Sequence, residues 1–201
     1  MSRTGMRMKD TGVKEEDSTE CAALEAIWPR AVIAAGFAGP LAAMWMESRR
    51  RAIRAGEPAL ARHPMNAKIE DGLFNARRSR RVVRGLEGAE AALAAEEAGL
   101  SKLAAATGTA EATRISRLLV TSMDGSERFY RQVEKIQDRF ARRLAVLLLE
   151  CDQETLGRAA FGPGKQARAL LIDHKDAVIR FLLLLECEPR VDGEVGPDVS
   201  E

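Results

Sequence analysis

The sequence predicts an α/β fold, an α/β/α sandwich, preceded by a small and mainly helical region. Three observations carry this reading. Residues 116–122 (SRLLVTS), 144–151 (LAVLLLEC) and 167–172 (ARALLI) are short, mostly apolar runs of strand length, as in strands buried on both faces. Between and after them lie segments of helical periodicity, two of them preceded by an acid able to cap a helix, Asp152 and Asp173. Glycine-containing turns at Gly85, Gly125 and residues 161–165 separate the segments, giving the alternation of a layered α/β domain.

In chain order, residues 1–19 are charged and aperiodic and are expected to be disordered. The small residues of 21–38 suit a helix, but Pro29, Gly36, Gly39 and Pro40 divide the region into short pieces. Residues 46–55 form a helix with Arg49, Arg50, Arg51 and Arg54 mostly on one side, ended by Gly56 and Pro58. A short helical piece follows to Arg62, and His63-Pro64 breaks it. Asn66 caps a helix that runs to about Arg78 and buries Ile69, Leu73 and Phe74. An extended Arg81-Val82-Val83-Arg84 and a turn at Gly85 lead into a second helix, 87–98, that stops at Gly99. The low-complexity stretch 100–113 reads as an insertion. After strand 116–122 come a helix at 125–139, strand 144–151, a short helix at 153–160, the loop 161–165, strand 167–172 and a last helix to about Leu185. The organisation expected is therefore a tail at 1–19, a small domain at 20–64, an α/β/α domain at 65–187 and a loose acidic tail at 188–201.

The formal net charge is +1, which argues against a globally basic coat, but the distribution is uneven. Residues 49–84 carry eleven Lys and Arg against three acids, whereas 181–201 carry six acids against Arg190 alone. Such a chain fits a polyanion-binding surface for which its own tail competes. Three widely spaced cysteines without a C-x-x-C pair exclude a zinc ribbon and argue against a disulfide framework. With no signal peptide and no apolar run of about twenty residues, a cytoplasmic protein without a membrane partner is expected.

From Leu73 onward the chain resembles the α/β/α RNA-binding fold of the kink-turn-binding ribosomal proteins. LFNARRSRRVVRG followed by LEGAEAAL resembles their basic helix end, short strand and glycine turn. SRLLVTSMDGS resembles their strand ending in an acidic turn, and ETLGRAAFG their E-L-G-x-A-x-G signature. Upstream, Cys21, Pro29 and PLAAMWMESRRRAIRAG resemble the small N-terminal domain of bacterial YlxR-type RNA-binding proteins. That domain is degenerate here, since the family's G-R-G stands as Leu41-Ala42-Ala43. The turn reads Gly85-Leu86-Glu87 in place of the kink-turn readers' G-x-N-E. The resemblance implies a non-enzymatic protein of the transcription or translation machinery that binds structured RNA, ribosomal or otherwise kinked.

The RNA-contacting residues expected are Arg77, Arg78, Arg80, Arg81 and Arg84 on phosphates, with Gly85, Leu86 and Glu87 at closest approach. Arg49, Arg50, Arg51 and Arg54 extend the positive track, and Phe161, Gly162, Gly164 and Lys165 form a second contacting loop. That loop, FGPGK, is not a nucleotide-binding phosphate loop: Ala159 and Gln166 break the motif, and it precedes a strand instead of following one. No catalytic residue, metal ligand or cofactor is expected. His63 and His174 lack partners at ligand spacing, and Asp124-Gly125-Ser126 reads as a strand-to-helix turn. Trp28, Trp45, Phe129 and Tyr130 read as core residues, and Leu182 to Leu185 as packed inside the domain or against a partner. A second reading stays open: an adaptor whose Ala/Leu-rich helices bind a protein after its nucleic-acid surface has decayed.

Overall fold

The computed structural model describes residues 10–108 and 113–185. It is an α/β fold in which five strands form one mixed sheet in the order β1-β4-β3-β5-β2. The strands are β1 (Ala61–Pro64), β2 (Val82–Arg84), β3 (Arg117–Thr121), β4 (Leu144–Glu150) and β5 (Ala169–Ile172). The helices are α1 (Asp10–Ile27), α2 (Arg30–Ala34), α3 (Ala38–Arg54), α4 (Ala67–Arg78), α5 (Leu86–Thr107), α6 (Glu127–Arg139), α7 (Gln153–Phe161) and α8 (Lys175–Leu182). β4 pairs in parallel with both β1 and β3, whereas β5 runs antiparallel to β3 and β2.

β4 explains why both faces are covered. Ala145, Leu147 and Leu149 enter one core with Ile69 and Leu73 of α4, Leu156 of α7 and Phe181 of α8. Leu144, Val146 and Leu148 enter the other, with Leu86 and Leu93 of α5 and Tyr130, Val133 and Ile136 of α6. A strand with alternate side chains in two cores must be apolar where it is buried, and LAVLLL is, up to the exposed Glu150.

Four expectations are revised. Residues 10–19 belong to α1, while 1–9 lie outside the described residues. α5 runs through Gly99 to Thr107 and ends at Gly108, which adopts the left-handed conformation (φ 63°). A glycine costs a helix about 1 kcal/mol relative to alanine, and the alanines, leucines and glutamates around it outweigh that. The stretch read as an insertion is thus mostly α5, with 109–112 outside the described residues. The piece expected to be helical up to Arg62 is instead β1, because pairing with β4 satisfies its backbone; Pro64 is tolerated because the strand is an edge. Finally Phe74 is 55 % exposed, and Ala76 takes the buried position on α4.

The expected boundary between 20–64 and 65–187 cuts β1 from the helix that follows it, although both serve one sheet and one core. Trp28, Leu41 and Trp45 share the cluster of Leu147 and Phe181, and the two indoles meet edge-on at 5.2 Å. Ser48 Oγ accepts from the Arg62 amide at 3.0 Å, and Arg114 donates to the carbonyls of Ala26 and Trp28. His63, buried on β1, donates from Nδ1 to the Pro64 carbonyl at 2.7 Å, which fixes its tautomer. The acidic stretch 188–201 lies outside the described residues.

Candidate nucleic-acid interface

The turn into α5 is built by Gly85, whose φ of 81° and ψ of 160° are open to glycine and strained for other residues. Its amide donates to the Ala169 carbonyl at 2.9 Å, which fixes the turn against the start of β5. Gly85 is also the N-cap of α5, so no side chain caps the helix. The amides of its first turn therefore face outward at the positive end of a 22-residue helix.

The second loop, 162–168, is a tight turn on the same rim. Pro163 and Gly164 (φ 71°) occupy its centre, and the Lys165 amide donates back to the Gly162 carbonyl at 3.3 Å, the pattern of a type II turn. Gly157 lets this loop lie against α7: a Cβ there would sit 2.5 Å from Gln166 Cα and overlap the Lys165 carbonyl. The Ala167 amide donates to Gln153 and the Ser122 amide to the Arg168 carbonyl, completing the seat.

Arg84 joins the two loops. Its guanidinium donates to the Gln166 carbonyl and lies 5.5 Å from the Phe161 ring centroid, while Arg77 of α4 reaches the same ring at 5.7 Å. Between the loops is a depression of about 500 Å³, lined by residues 84–88, Phe129, Gln132, Gln153 and residues 166–169. Glu87, exposed in the first turn of α5, stands at its edge. Arg168, which no sequence motif marks, is exposed and lines it, as do Phe129 and Gln132 of α6.

The remaining arginines are distributed differently from expectation. Arg78, Arg80 and Arg81 are exposed, but the last two belong to the far end of β2. There the Asp173 amide donates to the Arg81 carbonyl at 3.1 Å. An extended β2 carries Arg81 about 14 Å from Gly85, at about 3.4 Å per residue. α4 ends in a Schellman motif, with Arg81 N donating to Ala76 O and Arg80 N to Arg77 O. Arg80 takes the left-handed position at φ 56°, where glycine is usual. The α3 arginines are also displaced. α3 packs on β1, the edge strand opposite β2, and Arg49 donates to the Ala59 carbonyl and faces Glu20 at 3.9 Å. Arg51 faces Glu47 at 3.9 Å, Arg50 is likewise partnered, and Arg54 closes the helix. Arg49, Arg50 and Arg51 do not continue the track from Gly85; four intervening strand spacings place the edges about 19 Å apart.

Three local motifs have structural roles. Asp124 accepts from Ser122 Oγ at 2.6 Å and from the Gln153 amide at 3.1 Å, tying the turns after β3 and β4 together. Ser126 caps α6 through the Phe129 amide, and the Tyr130 hydroxyl donates to the Ser122 carbonyl. His174, not Asp173, caps α8, accepting from the Asp176 amide at 3.3 Å. Among the described residues no group of three or more His, Cys, Asp and Glu could hold a metal ion, and no helix is long and apolar enough to cross a membrane.

No family model matches the chain, and no curated protein does. It is similar to a solved structure described as a protein with unknown function from Bacillus halodurans C, at 18 % identity and a TM-score of 0.41. The similarity covers 59 % of this chain and 97 % of that one. What the site can do is therefore read from its own chemistry: outward amides, Arg84 and Arg168 around an open depression suit an anion larger than a single phosphate.

Proposed function

We propose that this protein is a non-enzymatic, cytoplasmic RNA-binding protein that takes structured RNA at the rim formed by the Gly85 turn and the 162–168 loop. The observation that carries the reading is the convergence of these loops on one depression, bridged by Arg84 and flanked by Arg168. The α/β class is the one the ribosomal-protein-like resemblance of 65–187 implies, and an association with the transcription or translation machinery is part of the proposal. A rigid turn favours a bulged or bent strand over a regular duplex, because it reads shape and phosphate position. Arg77 and Arg84, both beside the Phe161 ring, neutralise phosphates with Lys165 and Arg168; Glu87 accepts from a base edge. Fluorescence anisotropy of a labelled RNA stem-loop with an internal bulge, titrated at several salt concentrations, tests the proposal. The four or five phosphates neutralised at this rim should contribute about −3 to −4 to the logarithmic salt slope. A flat salt response, or binding that survives Arg84→Glu/Arg168→Glu unchanged, would defeat it.

A further inference from the structure

We infer that the RNA track leaves the Gly85 depression along α6 and not along α3, and that Arg128 and Lys135 hold it there. This rests on the RNA-binding reading above. α6 turns Tyr130, Val133 and Ile136 into the core. Arg128, Arg131, Lys135 and Arg139, three or four residues apart, fall on one outward stripe. Over eleven residues that stripe is about 16 Å long, at 1.5 Å per residue. It borders an open groove of about 690 Å³ between α5 and α6. Gln132 lines both this groove and the Gly85 depression, so the two adjoin.

Charge pairing within the stripe selects the residues. Arg139 is held by Glu90 of α5 at 3.1 Å, and Arg131 faces Glu127 at 3.6 Å. Among the described residues Arg128 and Lys135 have no ion-pair partner, and both are exposed. Glu134 lines a different depression with Glu57, Tyr130 and Arg131, and neither Arg128 nor Lys135 borders it. The groove contains no exposed aromatic or large aliphatic anchor of the kind that dominates protein–protein interfaces. Two unpaired cations on a polar groove continuous with an anion site fit a phosphodiester backbone.

The test uses the full chain and the same fluorescein-labelled bulged stem-loop, comparing wild type with Arg128→Gln/Lys135→Gln. The salt slope of the double variant should fall in magnitude by about 2, since each lost phosphate contact removes about 1. Affinity at low salt should drop about tenfold. The charge-conserving Arg128→Lys/Lys135→Arg should keep the wild-type slope, as should Arg30→Gln/Arg51→Gln on the N-terminal helices. Salt-dependent wild-type binding with an unchanged slope in Arg128→Gln/Lys135→Gln overturns this inference and leaves the Gly85 site standing. Wild-type protein that shows no salt-dependent binding overturns both.

Discussion

The Arg84 guanidinium donates to the main-chain carbonyl of Gln166, 82 residues further along the chain. One side chain thereby ties the strand entering the Gly85 turn to the loop leaving α7, and a strand–loop–helix arrangement becomes a single rim. Replacing Arg84 with Ala should release that loop as well as remove a cation. Amide hydrogen exchange should accelerate at residues 164–167 while α6 keeps its protection. Arg84→Lys should restore the charge without the planar fork, leaving the loop loosened and the salt slope near wild type.

Gly157→Ala opposes two effects of different size. Alanine favours a helix interior by about 1 kcal/mol. The added Cβ would overlap the Lys165 carbonyl and the Gln166 backbone, which cannot swing aside as a long side chain can. Overpacking of this kind costs about 1–3 kcal/mol, so the clash should win. A net loss of about 1 kcal/mol by urea denaturation is expected, with the loop displaced from the Gly85 side.

Arg80→Gly should move stability the other way. A left-handed residue with a side chain is disfavoured by about 1–2 kcal/mol, and Arg80 is one. Glycine gives back roughly 0.5–1 kcal/mol through its freedom in the unfolded chain. A gain of about 0.5 kcal/mol is expected, read as a higher midpoint in urea. Since Arg80 stands away from the depression, RNA affinity should change little.

Burial pushes the Cys151 thiol up to about 12, with the carboxylates of Asp152 and Asp124 adding to the effect. The unfolded thiol ionises near 9.0, so above that pH the unfolded chain loses a proton that the folded chain keeps. This contribution to stability is complete below pH 9 and lost as pH rises through 12. By pH 10 the loss is on the order of 1 kcal/mol. Wild type should therefore lose more stability than Cys151→Ala between pH 8 and 10, in parallel melts. Alkylation of Cys151 at neutral pH should require unfolding.

The strands and caps with strong local signals were legible in the chain. β3, β4, α6 and α7 lie within two residues of their expected bounds, because continuous apolar runs and the Ser126 and Asp152 caps act locally. β1 was not legible: Ala61-Arg62-His63-Pro64 has no strand signature, and only pairing with β4 makes it one. Gly85 and Gly162 marked the two loops, but their convergence depends on β2 and β5 being neighbours, which no short motif encodes. The α6 stripe was hidden for another reason. Its cations alternate in the sequence with Glu127, Glu134 and Asp138, and Arg128 and Lys135 separate from Glu134 once the helix turns the residues onto faces.

The most direct measurement is the perturbation of backbone amide resonances when unlabelled bulged stem-loop RNA is added to ¹⁵N-labelled full-length protein. The largest shifts are expected at Leu86, Glu87 and Gly88 and at Gly164 to Ala167, with smaller ones along α6 at Arg128 and Lys135. Shifts confined to α3 or to the exposed faces around Phe74 and Leu183, or no shifts at the Gly85 turn, would contradict the account.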